Sequence, residues 1–268
     1  MVLSTLAATS QTLTAADEVQ IVPEKEAQCV FAGEAKGIRL VLRNAGSNAV
    51  EIPLQARLYQ MSSATMMPVG APQPWKMVRL LPQQTAIESA PLSFPEVRTV
   101  APFEIRWMDG KNGEVGRSVV HVCSPGLLRE LTAMAGHAPI GIIDTDNSLA
   151  PVLRTLKVEY QELALETGFD DYEGHLAIVG PFPFETKLPQ QLSSLMASAS
   201  RKTVLVVCLQ ASRGPLEPMP NARLIHKGRA TIAVLDARLV TNLAESASAQ
   251  LSLLRCIQWA QHDDPGKL

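Results

Sequence analysis

The sequence predicts a two-domain fold: an antiparallel β-sandwich over residues 17–123, followed by an α/β domain over residues 124–268. We expect the second domain to hold a mostly parallel sheet with helices on both faces. Before Cys123, short stretches of alternating apolar and polar residues are separated by Pro, Gly and Asn. After it, apolar runs alternate with segments of helical periodicity. At 268 residues and 46% hydrophobic content, the chain is large enough to bury two cores.

Alternation and turn residues predict the strands of the first half. The clearest unit is a hairpin, in which residues 103–107 alternate, residues 109–113 form the turn and the chain returns to Cys123. Further strands are predicted at residues 37–43, 52–59, 75–81 and 85–92. The segment from Met61 to Pro74, rich in Met, Pro, Ser and Ala, is predicted as a long loop.

This spacing of about seven short strands resembles an immunoglobulin or fibronectin-type β-sandwich. The resemblance is one of architecture. The antibody pattern of Cys, Trp and Cys is not present, because Cys123 falls at the very end of the domain. The resemblance therefore implies a fold and no particular ligand.

Residues 1–16 carry no charge, and Thr14-Ala15-Ala16 offers the small residues that a signal peptidase needs. Two interpretations stay open: a flexible extension, or the remnant of an export signal. In an exported chain, Cys29 and Cys123 are a possible disulfide; in a cytoplasmic chain, we expect buried thiols. The location is thus open between the periplasm or the exterior and the cytoplasm.

In the second half, Ser124 and Pro125 begin a helix and Gly136 ends it. Strands and helices then alternate, as in a parallel sheet with connecting helices. Strands are predicted at residues 139–143, 175–180, 203–209 and 231–235, and helices at residues 149–156, 188–199 and 243–257.

Charge and composition exclude two classes of partner. Lys and Arg total 24 against 26 Asp and Glu, which gives a formal charge of -2, and aromatic residues make up 4%. No basic run supplies local attraction for a phosphate backbone, so we expect no nucleic-acid binding. No apolar run reaches the length of about 18 residues that a membrane span needs. A protein or a small ligand remains as partner.

Residues 201–212 resemble the nucleophile strand of class I glutamine amidotransferases, which carries Gly-x-Cys-x-Gly after an apolar run. The resemblance extends loosely over residues 138–260 and implies a flavodoxin-like domain with a nucleophile at Cys208. Val206 and Gln210, however, replace the two glycines, and His226 is not followed by Glu two residues later. We therefore expect a degenerate domain, a pseudoenzyme, in which Cys208 lies flat along its strand.

Residues 142–149 resemble the first motif of haloacid-dehalogenase-type phosphatases, an apolar strand that ends in Asp-x-Asp. The resemblance implies that Asp144 is a nucleophile and Asp146 a general acid, both near Mg²⁺. The acidic pair Asp170-Asp171 does not follow an apolar strand, so it does not supply the family's further metal ligands. The same Asp144 to Asn147 segment also fits a polar turn that caps a helix.

These observations predict a non-catalytic recognition or assembly protein, in a bacterial envelope or exported context, with no metal and no cofactor. Candidate ligand-binding residues are Asp144, Asp146, Gln210 and Arg213, at the predicted carboxyl edge of the sheet. The first alternative is a Mg²⁺-dependent phosphohydrolase that uses Asp144 and Asp146. The second is an amidotransferase or hydrolase that depends on Cys208.

Overall fold

The computed structural model describes most of the chain, in nine stretches. These are residues 19–24, 27–33, 35–111, 113–164, 169, 172–182, 203–208, 222–227 and 230–262. The chain divides into two compact units, residues 1–122 and 123–268. The N-terminal segment 1–16 and the predicted helix at 188–199 lie outside the described residues.

The first unit is an antiparallel β-sandwich of two sheets. Its strands are β1 (Val19–Ile21), β2 (Gln28–Phe31), β3 (Lys36–Asn44), β4 (Val50–Met61), β5 (Met66–Leu80), β6 (Thr85–Leu92), β7 (Val100–Met108) and β8 (Glu114–Cys123). One sheet has the order β1-β3-β6 and the other the order β2-β8-β7-β4-β5. Both sheets contribute inward-facing residues to one continuous apolar core.

Alternation along each strand places the core. In β7, Phe103, Ile105 and Trp107 are fully buried. The indole nitrogen Nε1 of Trp107 donates to Ser118 Oγ at 3.1 Å, so the buried ring leaves no orphan donor. Between the sheets, buried Asn44 donates from Nδ2 to the carbonyl oxygens of Asn48 and Leu81 at 2.8 and 3.0 Å. These bonds fix the turn after β3.

The predicted loop from Met61 to Pro74 is wrong, because these residues belong to the long β4–β5 hairpin. Its turn is closed by Ser62, whose backbone N–H donates to the carbonyl oxygen of Thr65 at 2.8 Å. The three prolines of β5 suggested a loop. β5 is the last strand of its sheet, so a proline whose nitrogen faces away from β4 leaves no neighbouring strand unpaired.

The second unit is built around one mixed sheet of six strands. Its strands are β9 (Ile140–Ile143), β10 (Tyr160–Glu162), β11 (Leu176–Phe182), β12 (Thr203–Cys208), β13 (Ala222–Lys227) and β14 (Ala230–Asp236). Its described α-helices are α1 (Glu130–Met134), α2 (Ala150–Leu156) and α3 (Ala247–His262). The order is β10-β9-β11-β12-β14-β13, with parallel pairing except for β13, which is antiparallel to β14.

The predicted fold class, with an α/β domain covered by helices on both faces, is wrong. Of the described residues, 50% lie in strands and 18% in helices, and the sheets of the chain are antiparallel or mixed. In the second unit, residues 160–162 and 222–227 form strands where the periodicity of the sequence predicted none. None of the helices in the described ranges is long and apolar enough to cross a bilayer.

The two faces of the six-stranded sheet are covered differently. Helix α3 packs on β12 and β14. The core on the other face includes Phe169 and Tyr172, which lie between β10 and β11 in the chain. Gly141 in β9 makes room for the tyrosine, because a Cβ there would lie 3.0 Å from the Tyr172 ring.

The Tyr172 hydroxyl joins three backbone segments. It accepts a hydrogen bond from the N–H of Gly141 at 2.9 Å and lies within hydrogen-bond distance of the carbonyl oxygens of Pro139, at 2.9 Å, and Leu176. The side chain is buried, and burial raises the pKa of its phenol. One hydroxyl thereby fixes the start of β9 against the start of β11.

Removing this hydroxyl should destabilise the second unit. We predict that Tyr172→Phe lowers the free energy of unfolding by about 2 kcal/mol, because the buried Gly141 N–H loses its acceptor. The matched control is Tyr160→Phe, whose exposed hydroxyl accepts from Arg154 Nη2 and whose loss should cost less than about 0.5 kcal/mol. Urea unfolding monitored by circular dichroism measures both; equal effects would contradict the prediction.

Candidate functional site

The carboxyl edge of the parallel strands is where the sequence places most candidate residues. β9, β11, β12 and β14 end there at Ile143, Phe182, Cys208 and Asp236. Ligands of open sheets with parallel strands usually bind at such an edge. The geometry at each strand end therefore decides whether the residues there can act in catalysis or in binding, as the sequence predicts.

Asp144 leads the chain from β9 into helix α2. Its Oδ2 accepts hydrogen bonds from the backbone N–H groups of Leu149 and Ala150 at 2.9 and 2.7 Å, and its Oδ1 accepts from Ser148 N–H at 3.1 Å. Exposed Asp146 accepts from the same Ser148 N–H at 3.1 Å. The predicted polar turn is present, and its Asp144 holds the first N–H groups of α2, whose N-cap residue is Leu149. Both oxygens of Asp144 are thus occupied by backbone donors.

The other aspartate at this edge belongs to a separate site. Asp236 is buried, accepts from the backbone N–H of Arg238 at 2.9 Å and forms an ion pair with its guanidinium. The hydrogen bond from the Arg238 guanidinium to the Asp236 carboxylate raises the pKa of Arg238. β11 and β12 lie between the strands of Asp144 and Asp236, which places the two residues roughly 14 Å apart at ordinary strand spacing.

Cys208 is the last residue of β12, where its backbone is in register with Asp236 and Phe182 on the flanking strands. His226 lies on β13 opposite Thr231. Thr231 and Asp236 are five residues apart on β14, so Cys208 and His226 are separated by roughly 17 Å along the sheet. The register therefore keeps the backbone positions of Cys208 and His226 apart.

The remaining predicted residues fall into two groups. Gln210 and Arg213 lie outside the described residues. Cys29 and Cys123 are both thiols in the structure, Cys29 half-buried and Cys123 buried, and a disulfide between them stays a prediction. Within the described ranges, no group of three or more His, Cys, Asp and Glu side chains is arranged to hold a metal ion.

The sequence analysis missed a charged cluster on the outer face of the five-stranded sheet, which we call the arginine face. It consists of Arg57 and Tyr59 on β4, Glu104 and Arg106 on β7, and Arg117 on β8. In the β4–β7 register, Arg57 is directly opposite Arg106. Like charges in this position repel, so neighbouring groups must offset the repulsion between the two guanidinium groups.

Glu104 and Tyr59 supply part of that compensation. The Glu104 side chain is only 10% exposed, and its Oε1 accepts from Arg106 Nε at 2.7 Å while its Oε2 lies 3.8 Å from Arg117 Nη1. The Glu104 hydrogen bond raises the pKa of Arg106. The guanidinium groups of Arg57 and Arg106 both stack over the Tyr59 ring, and their central carbons lie 5.6 and 4.3 Å from its centre.

Arg57 differs from its two arginine neighbours on this face. Arg106 and Arg117 form ion pairs with Glu104 and Glu114, whereas the buried Nε of Arg57 has no hydrogen-bond partner within the described part of the chain. Arg106 and Arg117 thus have carboxylate partners in the cluster, whereas Arg57 has a ring contact with Tyr59. Alternation in β4 and β7 predicts that these residues face outward, but only strand order brings them together.

Neither a protein-family model nor a curated protein matches this chain. Solved structures similar to part of it include the DNA glycosylase AlkC of Pseudomonas fluorescens, with TM-score 0.31, 11% identity and coverage of 41% of this chain and 32% of that one. PapD-like domain 7 of human CEP192 has TM-score 0.24, 15% identity and coverage of 46% and 96%. A CARDB domain of Pyrococcus furiosus has TM-score 0.25, 14% identity and coverage of 40% and 93%.

These similarities concern the fold alone. The matched part spans about a third of the AlkC chain. The PapD-like and CARDB domains are β-sandwiches, like the first unit described above. The TM-scores are too low to carry an argument on function, and the resemblance to glutamine amidotransferases finds no support in these comparisons.

Replacing Asp144 should affect stability through the turn that it holds. We predict that Asp144→Ala lowers the free energy of unfolding by about 1–2 kcal/mol, because the backbone N–H groups of Leu149 and Ala150 lose their acceptor. Asp146→Ala is the matched control and should cost less than about 0.5 kcal/mol, since Ser148 N–H keeps its bond to Asp144. Denaturant titration compares them, and a neutral Asp144→Ala would refute the capping role.

Proposed function

We propose that this protein is a non-catalytic recognition or assembly protein whose arginine face binds an acidic segment of a partner protein. The observation that carries the proposal is the facing pair Arg57 and Arg106. Both guanidinium groups stack on the Tyr59 ring, and Arg106 is paired with the buried carboxylate of Glu104. A carboxylate from a partner would add the negative charge that this group of guanidinium groups lacks.

The chemistry of the face favours a carboxylate ligand. Guanidinium groups present a planar fork of donors that matches a carboxylate, and bonds between charged partners are shorter and stronger than neutral ones. Stacking on Tyr59 orients the Arg57 guanidinium and lowers the entropy cost of binding. The face lies on the outer surface of a sheet, which suits a segment of a protein more than an enclosed small molecule.

The carboxyl edge of the six-stranded sheet gives the proposal independent support. Asp144 uses both carboxylate oxygens to hold backbone N–H groups, which favours a structural role over a nucleophilic one. The register separates Cys208 from His226, so this pair is unsuited to thiol activation. The two alternatives with enzymatic activity therefore receive less support than recognition.

Binding of an acidic peptide tests the proposal. A fluorescein-labelled hexaglutamate peptide should bind the full chain with an affinity that falls as salt is raised, because charge pairs on a surface are screened. Arg57→Gln should weaken binding about tenfold, the effect of losing one charged hydrogen bond. Fluorescence anisotropy measures both affinities.

Arg43→Gln is the matched control, since Arg43 is an exposed arginine on β3 of the other sheet and carries the same charge. It should leave the affinity within about twofold of the parent chain, since only general attraction is lost. Equal weakening by both substitutions, or no binding by the parent chain, would contradict recognition through the arginine face.

Cysteine labelling tests the alternative that depends on Cys208. Burial raises the pKa of the Cys256 thiol to about 12, so Cys256 should react with iodoacetamide at pH 8 only after unfolding. If the protein is non-catalytic, Cys208 should not be labelled faster than half-buried Cys29. Peptide mass spectrometry after short exposures gives the rates, and preferential labelling of Cys208 would favour a thiol enzyme.

A further inference from the structure

An open cavity of about 250 Å³ lies in the second unit beside helix α2 and the start of helix α3. Its walls are mostly apolar. The lining residues are Pro125, Pro151, Val152, Thr155, Leu156, Ala244 and Gln250. The Thr155 hydroxyl donates to the Pro151 carbonyl oxygen at 2.9 Å, so its proton is already used. Gln250 is therefore the residue whose hydrogen bonding decides what the cavity accepts.

Gln250 is buried, with 2% of its surface exposed. Its Nε2 donates to the carbonyl oxygen of Leu243 at 2.8 Å. This bond fixes the orientation of the amide, because only the NH₂ group can donate to a carbonyl. The other amide atom, Oε1, is buried and has no hydrogen-bond partner within the described part of the chain.

A buried acceptor without a donor is rare in folded proteins and costs stability. Gln250 lines the cavity while its Oε1 is itself covered, so a donor from outside the chain can complete the site once the amide turns Oε1 toward the cavity. The terminal torsion of a Gln side chain has a broad energy minimum, so a small rotation can turn Oε1 toward a donor in the cavity.

We propose that this cavity binds a small, mostly apolar molecule that carries one hydroxyl or N–H donor, which it gives to Gln250 Oε1. The volume is below the range of about 300–1,000 Å³ that is usual for drug-sized ligands, so the ligand is small. An apolar body fits the Pro, Val and Leu walls, while an acceptor placed against Oε1 would be repelled. This site is independent of the arginine face.

Two cyclic probes of similar size distinguish donor recognition from simple apolar filling. Cyclohexanol can donate a hydrogen bond, whereas cyclohexanone can only accept one. In a ¹H–¹⁵N NMR titration of the full chain, cyclohexanol should shift the amides of Val152, Leu156 and Ala244 with a Kd on the order of 1 mM. Cyclohexanone should bind about fivefold to tenfold more weakly.

Three variants locate the binding. Ala244→Trp fills the cavity from an exposed position and should abolish cyclohexanol binding, whereas Ser248→Trp, an exposed change on α3 outside the cavity, should leave it unchanged. Gln250→Leu should remove the preference for cyclohexanol over cyclohexanone. If Gln250→Leu does not fold, the comparison of the two probes on the parent chain still tests the donor.

The result that supports the proposal is saturable cyclohexanol binding that exceeds cyclohexanone binding and is lost in Ala244→Trp alone. Three results would overturn it. The first is no saturable shift, as expected if water alone serves Oε1. The second is equal affinity for the two probes. The third is binding that survives in Ala244→Trp, which would place it elsewhere.

Discussion

The hydroxyl of Tyr172 is the interaction on which the second unit depends. It joins Pro139, Gly141 and Leu176 and so aligns β9 with β11 at their starts. β9 then leads to Asp144, which accepts from the N–H groups of Leu149 and Ala150 at the start of α2. Helix α2 in turn forms one wall of the cavity that contains Gln250. A buried polar group that is fully hydrogen-bonded specifies one arrangement, because every shifted arrangement leaves a group unpaired.

The first unit uses polar residues in a different way. Its core is apolar and needs few polar contacts, while the outer face of the five-stranded sheet concentrates guanidinium groups around Glu104. Repulsion between Arg57 and Arg106 lowers stability, and the fold tolerates it because Tyr59 and Glu104 offset part of it. Local destabilisation of this kind is common where a surface is shaped for a ligand.

Particular elements show which parts of the fold could be predicted from the sequence. The hairpin turn at residues 109–113 was predicted, because Asp and Gly favour turns. In the structure, Asp109 Oδ1 accepts from the N–H groups of Lys111 and Gly113 at 2.8 and 2.6 Å. The loop prediction for residues 61–74 was wrong, because composition cannot show that a strand lies at the border of its sheet. The polar turn at Asp144 was predicted, since its hydrogen bonds join residues only a few positions apart.

Local patterns in the sequence thus determined the outward and inward faces of the strands, the turns and the capping aspartate. Tertiary structure decided the strand order, the antiparallel addition of β13, the distance between Cys208 and His226, and the meeting of Arg57 with Arg106. The physical reason is the range of the interactions. Alternation and capping act between residues a few positions apart, whereas contacts between strands join residues about fifty positions apart, as in β4 and β7.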